Sequence, residues 1–133
     1  MKEIRLLMVD DHEVVRVGLK SFLQTQEGIR VIAEASNGEE GLKILKEEQP
    51  DLVILDVLMP RQSGIRLYRE LKTDKSLKHI HVILLSGIAE KTFLRSQKAL
   101  TEFGGEDIPA PEIYLEKPVE PEELAEAIKK FLG

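Results

Sequence analysis

Apolar residues fall along this chain in short, nearly unbroken runs, separated by longer stretches of helical spacing. The runs lie at 4–9, 30–35, 52–55, 80–85 and 112–116. Runs this short, rich in branched side chains, predict strands buried on both faces, as in a parallel sheet. Between them, Val15, Gly18 or Leu19, and Phe22 give 12–26 one apolar face. Leu42 and Leu45 do the same for a second helix ending near 48, which Pro50 closes. Ser36 and Glu39 read as its capping box. A third helix is predicted over 63–72, with Ile65, Leu67, Tyr68 and Leu71 inward, and a fourth over 89–103. Pro121 opens a fifth, with Leu124, Ile128 and Phe131 on its buried face. Gly28 marks a cap or turn, and Pro60 and Gly64 mark the turn after the third strand.

Five strands alternating with five helices predict βαβ units and one parallel sheet covered on both faces. Right-handed crossovers leave few topologies. The expected fold is α/β, flavodoxin-like and doubly wound, with strand order 2-1-3-4-5. Residues 1–133 are read as a single domain without internal repeats, and no output domain is expected within them.

Composition then removes several function classes. A net charge of −5 argues against direct nucleic-acid binding, which needs a basic patch. Cysteine is absent, which excludes disulfides, thiolate nucleophiles and cysteine metal sites. The start of the chain is too short in apolar residues for a signal-peptide core, and no run is long enough to span a membrane. The expected localisation is cytoplasmic, by default.

The chemistry gathers at the strand ends, where ligands bind in open α/β sheets. The first strand delivers Asp10 and Asp11, the third Asp56, the fourth Ser86 and the fifth Lys117. Alone, Asp56 reads equally well as a polar strand terminator. Together, three carboxylates repel one another unless a hard divalent cation with oxygen ligands, such as Mg²⁺, offsets them. An ammonium and a hydroxyl facing that cation make a clamp for an anion with several oxygens, which suits phosphoryl transfer. With no cysteine and no serine–histidine pair, a carboxylate is the expected nucleophile. His12, His79 and His81 read as surface or packing residues, and the Glu/Lys-rich stretches as solvated faces.

Four motifs carry a family resemblance: Val9-Asp10-Asp11-His12, Leu55-Asp56-Val57-Leu58-Met59-Pro60, Leu85-Ser86-Gly87 and Leu115-Glu116-Lys117-Pro118. In this order, at the ends of those strands, they resemble the receiver domain (CheY-like) of two-component response regulators over essentially the full length. The resemblance implies that Asp56 accepts a phosphoryl group from a sensor histidine kinase or phosphotransfer protein. It implies that Asp11, Asp56 and the backbone carbonyl of Leu58 bind Mg²⁺, with Asp10 acting mainly through a water. Ser86 and Lys117 would hold phosphoryl oxygens. Tyr114 falls at the family's switch-aromatic position, and a cis peptide is expected between Lys117 and Pro118. The face of the fourth helix, fifth strand and fifth helix would carry the signal to a downstream protein or output domain, and a phosphorylation-dependent homodimer is one expected form. Leu58 and Ile88 occupy the positions that tune dephosphorylation. Both are apolar and cannot orient a water, so self-dephosphorylation is expected to be slow. On this reading the chain is a switch, not an enzyme.

The interval from Ser86 to Lys117 is longer than the family norm and reads as a neutral surface insertion. The opening from Asp10 to Arg16 resembles receivers joined to helix-turn-helix output domains. The chain is either a stand-alone regulator or a receiver from a longer protein. A pseudo-receiver, docking proteins without phosphorylation, would lack one of Asp10, Asp11, Asp56 or Lys117, and all are present. A haloacid-dehalogenase-type enzyme needs an aspartate where Leu58 stands. A flavodoxin needs a glycine- and hydroxyl-rich loop where Asp10 and Asp11 stand.

Overall fold

The strands pair in the order β2-β1-β3-β4-β5, all parallel. They are β1 (Ile4–Val9), β2 (Ile29–Ala35), β3 (Leu52–Asp56), β4 (His81–Ser86) and β5 (Ile113–Glu116). The computed structural model describes residues 3–57, 64–86 and 111–131. Among these it shows four helices: α1 (Glu13–Leu23), α2 (Gly38–Glu48), α3 (Gly64–Thr73) and α4 (Pro121–Lys129). The last is the fifth of the helices expected from sequence. The one expected at 89–103 lies outside the described residues, with most of the Gly/Pro loop after it.

Alternation along the strands divides the core into two layers. Ile4, Leu6, Met8, Leu52, Ile54, Ile83 and Leu85 face Leu19 and Leu23 of α1 and Leu124 and Ile128 of α4. Leu7, Val9, Val53, Leu55, Val82 and Leu84 face Leu45 of α2 and Leu67, Tyr68 and Leu71 of α3. A sheet covered on both faces has no use for polar strand residues, which is why the strands appear as apolar runs. Leu23, fully buried at the end of α1, belongs to the first layer and was not among the expected face residues.

Helix ends follow local chemistry, and two depart from expectation. Ser36 does not cap α2: Asn37 does, its side chain accepting the Glu40 N–H at 2.9 Å. Both are good capping residues, and the boundary falls one residue later than the Ser36/Glu39 spacing implied. At the other end of α2, Gln49 adopts the left-handed conformation, φ 47°. Arg5 from β1 donates to the carbonyls of Glu48 and Gln49, each at 2.9 Å, satisfying two of the last α2 acceptors. The first helix stops at Leu23 rather than 26, because Thr25 and Gln26 turn back onto the Phe22 and Leu23 carbonyls. Gly28 then takes φ 86°, which a glycine adopts without steric cost, and leads into β2.

Candidate functional site

The C-terminal ends of β1, β3, β4 and β5 carry every described residue of the expected site. Asp10 follows β1, its N–H bonded to the Ala35 carbonyl at 3.0 Å. Asp56 is the last residue of β3 and pairs with Leu85 of β4. Ser86 closes β4 and is fully buried. Its carbonyl accepts the Lys117 N–H at 2.7 Å, which fixes where β5 hands the chain to Lys117. The Lys117–Pro118 peptide is cis. Tyr114, in β5, is half-buried and packs against the layer that α2 and α3 cover. Leu58 and Ile88 lie outside the described residues.

Asp10 and Asp56 are both buried, and one ammonium reaches both. Lys117 Nζ lies 3.2 Å from Asp10 Oδ2 and 3.4 Å from Asp56 Oδ2. Buried carboxylates so close survive as anions only with compensating charge. Three carboxylates and one ammonium leave two negative charges, the deficit that one divalent cation fills. Ligand atoms of Asp10, Asp11, His12 and Asp56 all lie within 4.8 Å of one another. Asp11 Oδ1 is buried and accepts no hydrogen bond from the protein. This donor set fits a small divalent cation.

The structure moves one residue from the periphery into the site. His12, read from sequence as a surface or packing residue, is exposed as expected, yet its ring lies against the acids. Its Nδ1 is 3.1 Å from Asp10 Oδ1, 3.2 Å from Asp11 Oδ1 and 3.8 Å from Asp56 Oδ2. Its backbone N–H also donates to Asp10 Oδ1 at 2.9 Å, a side-chain turn that swings residue 12 back over the strand end. No periodicity announces this turn; the signal was an aspartate two residues before the helix N-cap. His79 and His81 line a cavity at the opposite end of the sheet with Pro50, Asp51 and Phe131.

Three supporting residues were also missed. Arg16 donates from Nη1 to the Asp10 carbonyl at 2.6 Å and from Nε to Glu34 at 3.3 Å. Lys20 donates to the second Glu34 oxygen at 2.9 Å. The Lys20 bond holds the Glu34 carboxyl below its ordinary range, with Arg16 adding to it against the opposing effect of burial. One turn of α1 is thereby tied to β2 and to the Asp10 backbone. The third is Gly64, expected only to loosen a turn. A Cβ there would collide with the Asp56 carbonyl oxygen and come within 2.6 Å of Val57 Cα. Gly64 N–H donates to the Val57 carbonyl at 2.9 Å, so α3 starts directly against the end of β3.

An open parallel sheet of this order, with an acidic pocket at its carboxyl edge and a lysine reaching into it, defines a receiver module. The chain belongs to the response regulator receiver domain family, whose model matches residues 6–129. It is 37% identical over 130 residues to the Bacillus subtilis protein named "Probable C4-dicarboxylate response regulator DctR", covering 98% of this chain and 53% of that one. It is 33% identical over 128 residues to the response regulator protein VraR of Staphylococcus aureus strain Mu3, covering 96% of this chain and 56% of that one. The crystal structure of a LuxR-family two-component response regulator from Aurantimonas superposes with a TM-score of 0.78 at 26% identity, over 98% of this chain and 86% of that one. The chain spans about half the length of these curated relatives. Among the described residues, no helix is long and apolar enough to cross a membrane.

Proposed function

We propose that this chain is a Mg²⁺-dependent phosphoacceptor switch in which Asp56 is the site of phosphorylation. The observation that carries the reading is the buried Asp10–Lys117–Asp56 contact beside Asp11, at the carboxyl edge of a receiver fold. An Asp56 carboxylate oxygen attacks phosphorus, the phosphorus–nitrogen bond of a kinase phosphohistidine breaks, and the imidazole departs with the electron pair. Asp10, Asp11, Asp56 and the Leu58 carbonyl are assigned to the cation. When bound, Mg²⁺ supplies charge neutralisation at the carboxylates and at the phosphoryl oxygens. Lys117, already between Asp10 and Asp56, would follow a phosphoryl oxygen, and Ser86 would donate its hydroxyl to another. The new group adds roughly one to two negative charges and strong acceptors. Those bias the face that includes β5 and α4, with Tyr114 as the responding aromatic.

On this reading a sensor histidine kinase or phosphotransfer protein is the donor. The receiver of a response regulator works in the cytoplasm, by contact with a downstream protein or output domain. The chain accepts a phosphoryl group and loses it slowly, because the side chains of Leu58 and Ile88 offer no polar atom to an attacking water. It is a switch rather than a turnover enzyme.

The test is intact mass after incubation with Mg²⁺ and acetyl phosphate, with Asp56→Asn in parallel. The expected result is one phosphoryl-sized gain, absent without Mg²⁺ and absent in the variant, decaying slowly after the donor is removed. No gain in folded protein, with a phosphorylated kinase also failing, overturns the reading in favour of a phosphorylation-independent docking module. A rapid decay overturns the assignment of Leu58 and Ile88.

A further inference from the structure

His12 is the N-cap residue of α1, yet its side chain caps nothing. Ser, Thr, Asp or Asn at that place would satisfy a helix N–H. The ring is not held by burial either, since 60% of the side chain is exposed. What it does touch is three carboxylates, with Nδ1 at hydrogen-bond distance, 3.1 Å, from Asp10 Oδ1. We propose that His12 Nδ1 is a nitrogen ligand of the cation site, and that it shifts the site's preference from Mg²⁺ toward nitrogen-accepting ions such as Co²⁺ and Ni²⁺. This rests on the cation-dependent reading above.

The spacing supports it. Metal–ligand bonds of about 2.1 Å place neighbouring ligand atoms of an octahedron roughly 3.0 Å apart, and those of a tetrahedron roughly 3.4 Å apart. Nδ1 stands 3.1 and 3.2 Å from oxygens of Asp10 and Asp11, inside that window. An ion seated among these atoms therefore needs little movement of the ring. The neutral imidazole, carrying its proton on Nε2, offers a lone pair at Nδ1 and adds no charge. The balance of three carboxylates, one ammonium and one divalent ion is left intact.

The chemistry gives the direction. An all-oxygen pocket suits Mg²⁺, Ca²⁺ and Mn²⁺, whereas imidazole favours the later first-row ions, whose affinity rises from Mn²⁺ through Co²⁺ and Ni²⁺. Mg²⁺ also keeps its waters reluctantly exchanged for nitrogen. Among the described residues, this is the one cluster with the ligand set for an ion, and its histidine is the only nitrogen donor in it.

The experiment uses the metals alone. Mn²⁺-loaded protein is examined by electron spin echo modulation for directly bound nitrogen. Calorimetry then gives Mg²⁺ and Co²⁺ affinities for the parent chain, His12→Ala and Asp11→Asn. The expected result is nitrogen modulation in the parent and none in His12→Ala. The Co²⁺-over-Mg²⁺ preference should fall by about tenfold or more, with Mg²⁺ affinity within about threefold. No modulation in the parent, or an unchanged preference in His12→Ala, overturns the role of His12 and leaves the carboxylate site standing. No ion binding by the parent, or binding indifferent to Asp11→Asn, overturns the cation site itself. Circular dichroism checks that each variant is folded.

Discussion

Gly64 and Asp56 meet backbone to backbone, with no room between them for a methyl group. The start of α3 and the end of β3 are thus locked in register at the proposed phosphorylation site. Gly64→Ala forces one of them to move. Overpacking against backbone costs about 1–3 kcal/mol, so the urea midpoint should fall accordingly. Phosphorylation by acetyl phosphate should fall with it, because the strand end that gives way carries Asp56. A variant with unchanged midpoint and uptake would mean that α3 yields freely.

Lys117 competes with any cation for the oxygens of Asp10 and Asp56. Lys117→Ala removes a positive charge 3.2 and 3.4 Å from those oxygens. Calorimetry should show Mg²⁺ affinity rising by about threefold or more. Phosphoryl uptake should fall by at least about tenfold, since the group that would follow the transferred oxygen is gone. Opposite movements in the two measurements distinguish this role from a merely structural one.

Arg16 holds the Asp10 carbonyl while Glu34, itself held by Lys20, fixes Arg16 in place. Removing a charge-assisted bond of this kind costs about 1.5–3 kcal/mol. Arg16→Ala should lose about that much by urea unfolding. Arg16→Lys should recover only part of it, because an ammonium cannot serve both partners with a planar fork. In a double-mutant cycle, Arg16→Ala and Glu34→Gln should couple rather than add.

Acid should weaken the fold through Glu34 and Glu112. Burial pushes the Glu112 carboxyl up, but the Val82 N–H, Lys72 and His81 outweigh it, and its folded value lies below the ordinary 4.5. Glu34 is lowered as well, chiefly by Lys20. A carboxyl with a depressed folded value stabilises above its unfolded value, and that contribution is lost as pH falls through the folded one. Urea midpoints should therefore decline from roughly pH 4.5 downward. Glu112→Gln should be less stable than the parent at neutral pH and show a shallower decline.

The cap of α2 offers a check on how far spacing alone can be followed. Asn37→Ala should cost about 1 kcal/mol, and Ser36→Ala should stay within about 0.5 kcal/mol. Equal losses would return the cap to Ser36.

Strand order and the two-layer core were legible because buried strands must be apolar and short, and Leu52 to Leu55 is that pattern at its plainest. Asp10, Asp11, Asp56, Ser86 and Lys117 were legible because topology alone brings strand ends together. His12, Arg16 and Gly64 were not. Their roles depend on a side-chain turn, a bond to a backbone carbonyl and a backbone approach, none of which leaves a periodic trace. Ser36 failed for a related reason: two capping residues stood side by side, and only the backbone angles choose between them.

The strands are not equally hard to pull away. Every residue of β3 is buried, whereas β5 is a four-residue edge strand with none fully buried. Amide exchange should follow this order, slowest at Val53 to Leu55 and fastest at Ile113 to Leu115. Asp56, the proposed phosphoryl acceptor, would then sit on the part of the sheet that opens last. Lys117 directly follows the part that opens first. On the proposed reading, the receiving atom is held still and the local freedom lies on the side that reports the event.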